Sequence, residues 1–250
     1  MARFIGIILH LVIIVFLTAI SQLGGLAWLI ALAFRRRALA FAASYALLSL
    51  AALWIAPLFG REPLPCGGDG ALRMQSKLYC VLNRQYAAPE LKAVLLDLAK
   101  AMERDHPGAT TRILDAGFPF LDGFPLAPHL SHDDGRKADI AFFYRDETGY
   151  LPGATRSPIG YFAFEDGPTD CPDSVPTLRW NLSWLQGFWP DLLLDRPRMR
   201  SALLWLSADP RVGKVLLEPH LKARLDLGSP KIRFQGCRAA RHDDHIHVQL

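Results

Sequence analysis

The chain has 250 residues, a hydrophobic fraction of 51% and a net charge of +4. That length allows one ordinary domain plus an extra segment, and that apolar content excludes a disordered chain. The charge is local: residues 1–37 hold four arginines and no acid, so residues 38–250 are neutral and present no long basic stripe for nucleic acid.

Residues 4–34 carry no charged side chain, Arg35, Arg36 and Arg37 follow, and residues 38–60 are again uncharged. A membrane span takes about 20 apolar residues, so residues 1–60 read as a transmembrane hairpin. The second run fits one span at 38–59. The first is longer and is interrupted by Ser21, Gln22, Gly24 and Gly25. Its span is expected at 14–34, with the preceding apolar residues at the interface. Arginine-rich short loops stay cytoplasmic, so the Arg35–Arg37 turn should lie inside and both hairpin ends outside, with Arg3 opposing. The region after Gly60 then faces the periplasm or the cell exterior, anchored to the cytoplasmic membrane. A signal peptide cleaved after Thr18–Ser21 is the rival reading; it exports the domain as well.

All four cysteines, Cys66, Cys80, Cys171 and Cys237, follow the membrane segment. An even number in an exported domain predicts disulfides. Of the possible pairings, Cys66–Cys80 with Cys171–Cys237 is preferred. Residues 61–87 read as a linker, broken by Pro63, Pro65, Gly67 and Gly68. Residues 89–102 read as an amphipathic helix with Pro89 in its first turn and a stripe of Leu91, Val94, Leu95, Leu98 and Met102. A short strand at 111–115, a proline-rich loop at 117–129 and a strand at 138–144 follow. The Gly- and Pro-rich stretch 146–176 should frame a cleft. Between 177 and 226 the pattern turns helical, with packed helices at 202–206 and 212–225. Trp180, Trp184, Trp189 and Trp205 fall there, as core or rim packing or as platforms for sugar rings. Strands at 231–234 and at the C-terminus close the chain. The fold class is α+β: a small antiparallel sheet carries the site and helices cover it, within one domain at 88–250.

The last ten residues hold three of the eight histidines, His242, His245 and His247. In a strand, residues two apart share a face, so His245 and His247 point together while Asp244, Ile246, Val248 and Leu250 face the other way. Imidazole is the commonest metal ligand. Upstream, His132 precedes an Asp133-Asp134-Gly135 turn, and Asp139 starts the next strand. His132, Asp139 and one terminal histidine make a two-imidazole, one-carboxylate set, the ligand number that holds a catalytic zinc with water in the fourth position.

The spacing His129, Ser131, His132, Gly135, Asp139, followed far downstream by His242, Asp243, Asp244, His245 and His247, resembles the penicillin-insensitive murein endopeptidases. These belong with the lysostaphin-like and D-alanyl-D-alanine metallopeptidases that share a fold with the hedgehog signalling domain. The resemblance covers about residues 85–250. It implies one Zn2+ on His132, Asp139 and His247, with His245, and with them His242 and His129, serving the chemistry. It implies hydrolysis of an amide in peptidoglycan peptides, most simply a cross-link. Zinc brings the pKa of water to about 7 and polarises a carbonyl. The base is His245, or Asp244, which stands three residues before the last ligand where many related enzymes have glutamate. Residues 118–124 depart from the family's glycine-rich pattern, which leaves endo- and exo-cleavage open. A D-alanyl-D-alanine carboxypeptidase and a non-catalytic zinc module that binds cell wall are the alternatives. The sequence is silent on oligomeric state.

Overall fold

A computed structural model describes residues 2–126, 130–156, 164–169, 171–177, 179 and 182–250, with backbone only at 2, 3 and 183. Three helices open the chain: α1 (Ala2–Ser21), α2 (Gly24–Ala31) and α3 (Arg37–Ile55), the last running on into a 3-10 turn, Ala56–Phe59. The segments Phe4–Ser21 and Arg37–Phe59 are long and apolar enough to cross a membrane. The first differs from the expected 14–34. The chain reverses at Gln22, whose φ of 59° is left-handed, and α2 folds back along α1. The glycines permit this close approach. A Cβ on Gly25 would collide with the Thr18 hydroxyl and sit 2.7 Å from the Ile14 carbonyl oxygen. Thr18 and Ser21 turn their hydroxyls onto the Ile14 and Leu17 carbonyls at 2.7 and 2.8 Å, so no polar group is left facing outward there. The Gly-Gly pair is therefore a helix–helix contact rather than a blemish inside one span. The antiparallel pairing also puts the start of α1 at the end of the bundle that holds Arg35–Arg37. The start of the first span thus falls at the triplet's end, which corrects the expectation that both hairpin ends lie on the opposite side.

The remaining chain forms a six-stranded sheet in the order β2-β4-β5-β10-β8-β9, from Leu72–Met74, Thr111–Asp115, Lys137–Ala141, His245–Gln249, Lys214–Leu216 and Ile232–Arg233. The two outer pairs are parallel and the inner ones antiparallel, so the expected antiparallel sheet is a mixed one. Two short ladders flank it, β1 (Glu62–Pro63) with β3 (Tyr86–Ala87) and β6 (Tyr144–Arg145) with β7 (Leu193–Leu194). Helices α4 (Lys77–Val81), α5 (Pro89–Asp105), α6 (Arg196–Ala208) and α7 (Pro219–Arg224) complete the α+β fold. The stripe on α5 (Leu91, Val94, Leu95, Leu98, Met102) and its counterpart on α6 (Met199, Ala202, Leu203, Leu206) are buried in one core with Ile113, Ile140, Val215, Ile246 and Val248 of the sheet. Each such side chain contributes about 1.5–3 kcal/mol by leaving water. The opposite face of the central strands is free for polar side chains.

Two expectations are corrected here. Residues 61–87 are no linker: they supply β1, β2, β3 and α4, closed by the Cys66–Cys80 disulfide. Residues 212–225 are not one helix. Lys214–Leu216 pairs with β10, and only Pro219–Arg224 is helical. Pairing with a buried strand outweighs helical periodicity in so short a run, and Pro219 resets the chain at a helix start. The second disulfide, Cys171–Cys237, matches the preferred pairing.

The domain is clamped to the helices. Asn83, buried and left-handed at φ 57°, donates from Nδ2 to Tyr45 Oη and Ser49 Oγ, each at 3.0 Å. The Tyr45 hydroxyl donates onward to the Val81 carbonyl at 2.6 Å, and the Phe120 amide donates to Gln22 Oε1 at 3.1 Å. Leu23, Ala52, Ala56 and Tyr86 pack as a second small core. Asn83→Ala should cost this contact about 1–3 kcal/mol, the penalty for stranding buried partners. Amide hydrogen exchange should then rise in residues 77–84 and stay unchanged in β5 and β10; equal exchange in both proteins would show that the clamp does not depend on Asn83.

Candidate metal centre

The β5–β10 register builds the site. His247 lies opposite Asp139, and Asp139 lies opposite Asp115 of β4, so these side chains share one face of the sheet. Ile246 and Val248 go to the core behind it, as the period of two requires. His132 arrives from the loop before β5. Its Nδ1 donates to the Ala116 carbonyl at 2.9 Å, which fixes the tautomer and leaves Nε2 as the outward lone pair. The turn between His132 and Asp139 needs glycine at 135: φ is 68°, and a Cβ there would run into the Arg61 guanidinium. Asp134 steadies the same turn by accepting from the Arg136 amide and from Lys137 Nζ at 2.8 and 2.7 Å.

His132, Asp139 and His247 form a buried group able to hold a metal ion, their ligand atoms all within 4.8 Å of one another. His132 Nε2 is 3.2 Å from His247 Nδ1 and 3.2 Å from Asp139 Oδ1, and His247 Nδ1 is 2.8 Å from Asp139 Oδ1. For an ion held tetrahedrally by bonds of roughly 2.0–2.1 Å, neighbouring ligand atoms stand about 3.3 Å apart. The two imidazole edges match that spacing, and the third needs a small opening. Nitrogen, nitrogen and carboxylate oxygen suit a borderline cation such as zinc. The trio expected from the sequence is therefore brought together.

His245 and His242 stand beside it. His245 Nδ1 is 2.6 Å from Asp244 Oδ1, and its Nε2 is 3.7 Å from Asp139 Oδ1. The His242 ring lies 5.2 Å from that of His245 and 5.5 Å from that of His247. His129 lies outside the described residues, as does Trp180. Of the other tryptophans, Trp184 is exposed, Trp189 is partly so, and Trp205 packs against the core.

Three buried imidazoles meet different fields. Burial opposes charge on His245, but Asp139 and Asp244 outweigh it and push its pKa up to about 9. Burial dominates at His247, against the pull of Asp139, and lowers it to about 4. His242 is driven well below the usual range by burial and then by its histidine neighbours. His247 and His242 are thus neutral near pH 7.

Four supporting residues were passed over in the sequence. Asp115, fully buried beside Asp139, is gripped by Arg84. Its Oδ1 also holds the amide of Ala116, the residue whose carbonyl orients His132. Glu218 accepts from the His242 amide at 3.3 Å, donates its own amide to the His242 carbonyl at 3.1 Å, and is held by buried Arg179. The only cue for Asp115 was an acid closing an apolar strand just before Ala116 and Gly117. Glu218, before Pro219, reads as an ordinary helix start.

No family model matches this chain, and no curated protein is significantly similar to it. The purified full-length chain should take up one divalent ion, measured by competition with a chromophoric chelator. His247→Ala should abolish tight uptake. Gly135→Ala, which removes no ligand, should weaken it about 10–100-fold, as outer-shell changes do. Unchanged affinity in His247→Ala would remove the trio from consideration.

Proposed function

We propose that the chain is a membrane-anchored zinc peptidase that hydrolyses amide bonds in peptidoglycan peptides, acting on the cross-link as an endopeptidase. The observation that carries this reading is the pairing of a three-ligand site with an adjacent imidazole–carboxylate couple, His245 at the start of β10 and Asp244 just before it. A cleft of about 320 Å³ opens onto His132, His242 and His247. A larger groove of about 730 Å³, near β6 and β7, contains none of these histidines and is crossed by ion pairs of Glu165 with Arg156 and Arg224, so the smaller cleft is the better candidate.

His132, Asp139 and His247 would hold a zinc ion, which would supply Lewis acidity for a bound water and for the scissile carbonyl. His245 takes the proton from the attacking water and returns it to the departing amine. Asp244 orients His245 through Nδ1, so its carboxylate is committed to that contact, which supports His245 over Asp244 as the base. His242, neutral and on the cleft wall, donates to the oxyanion as the carbonyl is attacked.

Location supports the same reading. Four arginines at one end of the helical bundle favour that end in the cytoplasm. The domain is attached at the other end, and its two disulfides persist in an oxidising compartment. Peptidoglycan is the polymer found there.

Incubation of the full-length protein in detergent with purified cross-linked muropeptides should convert dimers to monomers, and a chelator should stop it. His245→Ala should retain the metal and lower kcat about 10²–10⁴-fold. Release of a single D-alanine would identify the carboxypeptidase alternative instead. Bound zinc without any cleavage would favour the non-catalytic wall-binding module.

A further inference from the structure

Two rows of side chains cross the metal face of the sheet. The first runs Asp115, Asp139, His247 and Leu216 on β4, β5, β10 and β8. The second lies two residues along each strand, about 7 Å away, and runs Lys137, Gln249 and Lys214. Lys137 is committed to Asp133 and Asp134 at 3.4 and 2.7 Å. Lys214 has no ion pair among the described residues. It lines the same cleft as His132, His242 and His247, with Gln249 beside it and Arg238 on the rim; among the described residues no carboxylate lines that cleft.

Such a cleft is electrostatically incomplete. A dication on the trio would be offset by Asp139 and by the buried Asp244 behind His245, while Lys214 and Arg238 add two further positive charges in a partly enclosed space. Like charges so confined repel, and the repulsion is relieved by an anion that reaches both cations and not the metal. A carboxylate beside a scissile amide has the right reach: one or two extended residues cover about 3.3–7 Å, and the lysine stem covers the rest.

We infer that Lys214, assisted by Arg238, is a carboxylate-recognition site that selects peptides bearing a free carboxylate one or two residues from the bond to be cut. The inference rests on the peptidase reading for its biological sense, but its test does not. Two synthetic stem peptides are compared, identical except that the carboxylate nearest the scissile amide is free in one and a carboxamide in the other.

Binding is measured by calorimetry on zinc-loaded, full-length His245→Ala protein, where turnover cannot confuse it. The free acid should bind about tenfold more tightly, the worth of one charged hydrogen bond. Adding Lys214→Met should bring the two peptides to within about twofold, with zinc content and melting temperature retained. Lys214→Arg should keep most of the preference. In the otherwise unmodified enzyme the same preference should appear in KM and leave kcat nearly alone. Equal binding of acid and amide, no binding of either, or a preference that survives Lys214→Met would each overturn the inference. Selective binding of the acid by a protein that hydrolyses neither peptide would instead retain the carboxylate site and refute the peptidase reading.

Discussion

The register of two strands controls the whole arrangement. β5 and β10 pair so that His247 meets Asp139 and His245 meets Ala141. A slip of one residue would turn both histidines into the α5–α6 core and bring Ile246 and Val248 out to water. The core side therefore enforces the chemistry side. Ile140, Ile246 and Val248 are fully buried, and exposing them would cost several times the energy of any single polar contact in the site. The alternating pattern that makes β10 a strand is the same pattern that aims its imidazoles.

Polar burial at this density is costly, and the fold meets that cost with pairs. Asp115 has Arg84, and Glu218 has Arg179, all four side chains nearly withdrawn from solvent. Such pairs contribute little net stability compared with apolar residues of the same shape. Their use is positional: the first sets Ala116 and hence the His132 ring, and the second fixes the backbone of His242. Removing one partner would leave a buried charge unmatched, so both pairs act as rigid stops beneath the ligands rather than as sources of stability.

What the sequence revealed depended on whether the signal was local. The α5 stripe, the β10 alternation from His245 onward and the His132-to-Asp139 spacing are each contained within a short run and appear where the pattern put them; Asp244, expected on the core face, instead lies just before the strand and contacts His245. The disulfide pairing also agreed. The failures share the opposite character. Gly24 and Gly25 look like flaws in one long span because their role is contact with another helix, Gly24 with Leu17 and Ser21 and Gly25 with Ile14 and Thr18. Residues 214–216 looked helical because their strand character comes from β10. Residues 61–87 looked like a linker because their prolines and glycines serve turns between very short strands. Asp115 and Glu218 were invisible because their partners, Arg84 and Arg179, lie 31 and 39 residues away.

The clamp between domain and helices holds the domain along one face of α3. Tyr45 lies eight residues beyond Arg37, about 12 Å along the axis, and the domain grips α3 at Tyr45, Ser49, Ala52 and Ala56. Those positions recur every three or four residues and form one face. That face meets protein, and the remaining circumference leaves Leu47, Leu50 and Trp54 exposed. Leu78 and Val81 are exposed on α4 next to the Tyr45 contact. A domain held this way cannot sweep on a flexible tether. Its cleft keeps a fixed orientation to α3.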